Sequence, residues 1–151
     1  MRLWKGRMMK ITPADMWFSR CIRERADWTC EYPGCCVRYE PPTQALYCSH
    51  FEGRGKWAVR FEPLNGIALC YGHHRIVGSS PKTHNLLHAE IFGNWAAAIV
   101  EEKAQNLELA KAMKRTKGKG EIAKHYKAEY ERMMQERAAG VRGRLEFVGF
   151  E

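Results

Sequence analysis

Cys30-Glu31-Tyr32-Pro33-Gly34-Cys35 sets two thiols four residues apart, and its Pro-Gly turn folds the second back toward the first. Cys70-Tyr71-Gly72-His73-His74 follows after some forty residues, with Cys70 and His73 spaced to share the first turn of a helix. Three thiolates and one imidazole form a tetrahedral donor set suited to zinc. Between the two motifs lie Ser49-His50 and Asn65. A neutral imidazole is a competent proton acceptor near pH 7, and a second one, at His74, can hold a divalent ion. Cys36 and His74 adjoin Cys35 and His73 and are the alternative zinc ligands. The Pro-Gly turn favours Cys35, and the i+3 helical position favours His73.

These donors need a scaffold. Residues 28–36 form a first knuckle, and residues 46–51 read as a strand. Gly53-Arg54-Gly55-Lys56 is a basic loop, and Asn65-Gly66 is a tight-turn dipeptide. Ile67-Ala68-Leu69 is a short apolar strand that delivers Cys70 to a helix ending by Gly78. The order strand, turn, strand, helix is a ββα unit in which His50 and His74 face one gap and Asn65 braces the turn. The joint arrangement points to metal-assisted hydrolysis of a phosphodiester, with His50 as base, His74 as ligand of a catalytic ion, and Arg54 contacting the phosphate through its forked guanidinium.

Helices surround this unit. Thr12 caps, Pro13 opens and Asp15 completes a capping box for a helix to Arg25 or Ala26. Trp17, Phe18, Cys21 and Ile22 fall on its core face. Arg20, Arg23 and Arg25 read as a solvated face, or as a phosphate-facing stripe. Ser80-Pro81 opens a helix to Phe92, and Asn94 caps the next. Residues 113–120 are basic and read as a mobile linker or a phosphate-contacting loop, and residues 121–139 are a long helix stopped by Gly140. The division is a domain over 1–110, a linker over 111–120, and a C-terminal helix and tail over 121–151.

The chain has 151 residues, 45% apolar, with 25 Lys+Arg against 17 Asp+Glu and a net charge of +8. One modest domain and a polyanionic partner are expected. The six cysteines fit metal ligation in a reducing compartment better than a disulfide framework. No stretch reaches the roughly 18–20 apolar residues of a membrane span, and residues 1–7 have no secretory apolar region. The expected location is cytoplasmic, in the host cell if the chain is phage-encoded.

The chain resembles the HNH endonucleases of the ββα-metal fold, in particular the phage-borne group similar to the NinG and Ref recombination nucleases. The resemblance rests on Trp17-Phe18-Ser19 with Ile22-Arg23-Glu24-Arg25, Trp28-Thr29-Cys30 to Cys35, Cys48-Ser49-His50-Phe51-Glu52-Gly53-Arg54, Arg60-Phe61-Glu62-Pro63-Leu64-Asn65, and Cys70 to His74. It covers residues 14–95 or so. It implies an α+β protein with a zinc-stabilised ββα-metal core dressed with helices. It also implies a structural zinc, a catalytic ion such as Mg2+, and DNA cleavage with His50 as general base, His74 as ion ligand and Asn65 as hairpin residue. A recombination protein is a further partner suggested by the group.

Two departures bear on the site. The second knuckle ends in His73-His74 where the family has Cys-His, which makes the zinc set Cys₃His. Ser49 stands where an aspartate often binds the catalytic ion, so another donor must complete that shell: Cys48, or His84 and His88, which lie four apart on one helical face. The rival reading is a non-catalytic zinc-containing module that binds DNA.

Overall fold

The computed structural model describes residues 10–117 and 120–151. The basic stretch at 118–119 and the segment 1–7 weighed as a signal lie outside the described residues. The chain is mixed α+β: α1 (Pro13–Arg25), β1 (Leu46–His50), β2 (Gly66–Cys70), α2 (Tyr71–Gly78), α3 (Pro81–Phe92), α4 (Asn94–Ala104), α5 (Leu107–Lys117) and α6 (Glu121–Ala138). Among the described residues no helix is long and apolar enough to cross a membrane.

The start of α1 forms as its sequence dictates. Asp15 N donates to Thr12 Oγ1 at 3.3 Å, and Thr12 N donates back to the Asp15 carboxylate at 2.8 Å. That satisfies helix-end amides that would otherwise lack partners. The same carboxylate takes a forked contact from Arg60, with Nη2 at 2.7 Å and Nε at 2.9 Å. Burial by itself would raise the Asp15 pKa, but the Arg60 and Thr12 hydrogen bonds outweigh it and hold the group below the usual carboxylate range.

β1 and β2 pair antiparallel, from Leu46 opposite Cys70 to His50 opposite Gly66. Cross-strand partners share a face and neighbours along a strand alternate, so Leu46, Cys48 and His50 share one face and Tyr47 and Ser49 the other. α1 covers the first face. A Cβ on Gly66 would lie 2.7 Å from Ile22 Cδ1 and 3.5 Å from Cys48 Sγ, so the helix approaches the sheet closely enough that only glycine fits without a shift. Phe18, Ile22, Leu46, Ile67 and Leu69 are all buried beside this sheet, each contributing roughly 1.5–3 kcal/mol. α6 lies along α1, and Tyr126 donates to the Phe61 carbonyl.

Several expectations need correction. Asn65-Gly66 is not a tight two-residue turn. Gly66 is extended at φ −118° and opens β2, and Asn65 ends a 3-10 turn over Pro63–Asn65. The strands are joined by the long connection 51–65 instead. Most of the stretch read as a basic linker is α5, with Met113 buried; its apolar residues recur at helical spacing and outweigh the charge. The N-cap of α4 is Gly93 at φ 91°, not Asn94. Two of the three arginines of α1, Arg23 and Arg25, turn inward rather than lining a solvated face or a phosphate stripe. Arg25 is 1% exposed and donates to the Pro63 and Gly66 carbonyls at 2.8 and 2.6 Å. Arg23 donates to the Leu46 carbonyl at 2.6 Å, and Arg20 lies over the Trp17 ring at 5.0 Å. The guanidiniums of Arg23 and Arg25 satisfy backbone carbonyls of neighbouring segments. The tail, without a clear sequence signal, packs Phe147 into the core and ties Phe150 N to Tyr126 Oη at 3.0 Å.

Candidate functional site

Asp27 and Trp28, both in left-handed backbone at φ 52° and 55°, turn the chain out of α1 into the first knuckle. Thr29 bridges Arg38, and Cys30 N donates to the Val37 carbonyl at 3.0 Å. Gly34 at φ 82° makes the turn that lets Cys35 N reach the Tyr32 carbonyl at 3.0 Å. Glu31 fastens the knuckle to β2, donating its N–H to the Ala68 carbonyl at 2.8 Å and accepting Ala68 N–H on its carboxylate at 2.8 Å.

Cys30, Cys35, Cys70 and His73 consequently meet, their donor atoms all within 4.8 Å of one another. His73 Nδ1 lies 3.2 Å from Cys70 Sγ and 3.6 Å from Cys30 Sγ. Zinc bonds of about 2.3 Å to sulfur and 2.0 Å to nitrogen in a tetrahedron give S–N edges of about 3.5 Å, so the donor set and its spacing fit zinc. Tyr32 stacks on the His73 ring at 4.0 Å and 2°, fixing its plane. Burial pushes the Cys30 thiol up to about 12. At Cys70 desolvation is outweighed by the His73 and Gly72 amides at the start of α2 and by the neighbouring thiols, which lower its pKa. Cys36 is exposed and stands outside the cluster, as does His74.

Asn65 is fully buried and braces the connection between the strands. Its Oδ1 accepts from Glu52 N at 2.7 Å, and its Nδ2 donates to the Glu52 and Val59 carbonyls at 2.9 and 3.0 Å. His50 ends β1 on the α1 face, 6.2 Å from the Phe18 ring. Burial chiefly, and then the Arg54 charge, lowers its pKa to about 4, while Asp15 acts the other way. Its imidazole is therefore neutral at pH 7. Arg54 is half-buried and close enough to His50 for its charge to be felt there.

His74 stacks on Tyr47 at 4.9 Å and 9°, on the opposite face of β1. The two imidazoles do not look into one gap, because His50 and Tyr47 are three residues apart on a strand whose side chains alternate. Ser49 shares the His74 face. Beyond it Phe51 stacks on His88 at 4.2 Å and meets His84 edge-on at 5.3 Å. His84 and His88 thus do share a locality with His74. Cys48 faces α1 and is pushed up to about 11 by burial, so it does not join that group. His84 borders a cleft of about 220 Å³ with Glu52, Asn85 and Glu101. Glu52 had no role in the sequence reading; a carboxylate two residues past His50 is its only signal.

No family model matches the chain, and neither does any curated protein or solved structure.

Proposed function

We propose that this protein is a DNA endonuclease of the HNH type, a zinc-stabilised ββα-metal fold that hydrolyses phosphodiesters with a divalent ion such as Mg2+. The observation that carries the reading is the Cys30, Cys35, Cys70 and His73 cluster at the junction of the first knuckle, β2 and α2. It joins the knuckle to the end of β2 and to the helix that bears His74, and β2, which begins just after Asn65, pairs with the strand that ends in His50. The net charge of +8 suits a polyanionic substrate; the phage type of DNA metabolism and a recombination-protein partner are what the family resemblance implies.

In this reading His50 takes a proton from the attacking water as the new P–O bond forms and the bond to the leaving oxygen breaks. Its neutral state at pH 7 leaves the ring free to accept that proton. Arg54 holds a phosphate oxygen beside it. Asn65 keeps the connection after β1 in shape through its three hydrogen bonds. His74 would hold the divalent ion, which would supply positive charge against the phosphoryl oxygens.

The opposed imidazoles, and Ser49 in place of a carboxylate, favour a second reading: a non-catalytic zinc module that binds DNA. Plasmid nicking with Mg2+ or Mn2+ separates the two. For the endonuclease, His50→Ala lowers the nicking rate by about 10²–10⁴-fold with DNA affinity and zinc content unchanged. Equal behaviour of wild type and variant, both binding DNA, gives the case to the binding module.

A further inference from the structure

Unpaired nucleotides are held by stacking their bases on aromatic side chains while cations meet the backbone, a mode that tolerates any sequence. The outer side of α2 offers both parts. Tyr71, the first residue of that helix, is 57% exposed, and Ile76 further along is 50% exposed. The Tyr71 ring is braced, lying 5.9 Å from the half-buried Tyr47 ring at 46°. Tyr47 in turn stacks on His74. The Arg75 guanidinium lies 5.7 Å from the centre of the Tyr71 ring. Tyr71, His74, Arg75 and Ile76 border an open depression of about 670 Å³, within the roughly 300–1,000 Å³ of ligand clefts. Among the described residues no carboxylate lines it, whereas the 220 Å³ cleft that shares Gly78 with it is bordered by Glu52 and Glu101.

We propose that this depression receives an unpaired base of a DNA strand, stacked on Tyr71, with an adjoining phosphate held by Arg75. Arg75 is exposed, and among the described residues no ion pair ties it down. Its forked N–H donors suit phosphate oxygens. Ile76 gives the edge of the base an apolar wall. The lack of acid in the lining removes what would repel a polyanion. It also removes what would meet a cationic peptide, the other ligand such an aromatic shelf could take. A base reaches the shelf only when it is out of the duplex stack, so the site selects single-stranded, gapped or branched DNA over continuous duplex. The inference deepens the endonuclease reading by naming its substrate class, and rests on that reading for what is done to the strand, not for the stacking.

The test is titration of the zinc-replete full chain into oligonucleotides carrying 2-aminopurine, whose emission reports stacking, with no other divalent ion added. One probe is single-stranded, one is a gapped duplex with the fluorescent base in the gap, and one is the continuous duplex. Wild type should change the emission of the first two and bind them about tenfold more tightly than the third. Tyr71→Ala should abolish the emission change and remove that tenfold preference, with zinc content and affinity for continuous duplex unchanged. Tyr71→Phe, which keeps the ring, should behave as wild type does. Arg75→Ala should lower the salt slope of single-strand binding by about one. Equal wild-type affinity for single strand and duplex, or an undiminished preference in Tyr71→Ala, overturns the site. So does failure to bind either form of DNA, the result expected if the depression takes a peptide. Should Tyr71→Ala lose its zinc, Ile76→Glu decides alone, since an acid in the depression should cost the same preference. Plasmid nicking with a preference that ignores Tyr71 removes this inference and leaves the endonuclease reading standing. Stacking that depends on Tyr71 without any nicking does the reverse.

Discussion

Two groups of potential metal donors flank the same small sheet, and they are built differently. The cysteine cluster brings four donors within 4.8 Å, closed by stacking of Tyr32 on His73. The histidine cleft spreads its imidazoles around Tyr47, Ser49 and Phe51, opens to a 220 Å³ space, and leaves ring nitrogens without partners. A closed shell supplies folding energy, whereas an open one keeps room for water or substrate. A closed shell of the first kind suits a structural ion, and under the endonuclease reading the open group is the one to test for chemistry.

The largest expected effect breaks the comparison at the cysteine side. Structural zinc contributes roughly 10–16 kcal/mol of apparent binding energy, as much as or more than the roughly 5–15 kcal/mol net stability of a domain. Cys70→Ser, or removal of metal by a chelator, should give an unfolded or insoluble chain, read by circular dichroism and zinc analysis. A folded Cys70→Ser protein with full zinc content would show that Cys70 is no ligand.

A smaller effect concerns His50, on the α1 face of β1 opposite the histidine group. The folded-state pKa of His50 is about 4, below its ordinary 6.5. The unfolded chain therefore binds a proton first as pH falls. The stability this group contributes is intact above about pH 6.5 and is lost progressively toward pH 4, where the folded state protonates too. Between pH 7 and pH 5 the loss is about 2 kcal/mol. Urea unfolding of zinc-saturated wild type and His50→Gln at both pH values should show a fall of that size that is absent from the variant. Equal falls would mean that His50 titrates freely in the folded protein.

The smallest effect falls just outside the closed shell. Cys36 is exposed and sits beside a ligand, so Cys36→Ser should keep its zinc and shift stability by less than about 0.5 kcal/mol. Cys35→Ser should instead lose the metal. Denaturant curves with zinc analysis compare the two, and loss of zinc in Cys36→Ser alone would exchange their roles.

Much of the cysteine side was legible in the sequence because its geometry is local. Pro33-Gly34 makes the turn, and the i to i+3 step from Cys70 to His73 on a helix start needs no knowledge of the rest of the chain. The cap of α1 was legible for the same reason, with Thr12 and Asp15 in one turn. Arg25 and Arg60 were not: charged residues are read as exposed, and only long-range packing supplies the Pro63 and Gly66 carbonyls or the Asp15 carboxylate that admit them to the interior. His84 and His88 were singled out by their four-residue spacing, but Glu52 was hidden likewise, since β1, α2 and α3 meet there across many residues of chain.

The sequence by itself brought out which residues could share a metal, with Cys36 and His74 as alternatives, and roughly where the strands and helices that carry them lie. Those are short-range consequences of turn chemistry, capping and hydrophobic period. Tertiary structure decided which face of β1 each imidazole occupies, and so separated His50 from His74 and grouped His74 with His84. Strand alternation turns a single residue of register into opposite directions, and the packing of α1 on one face and α2 on the other fixes which direction is inward.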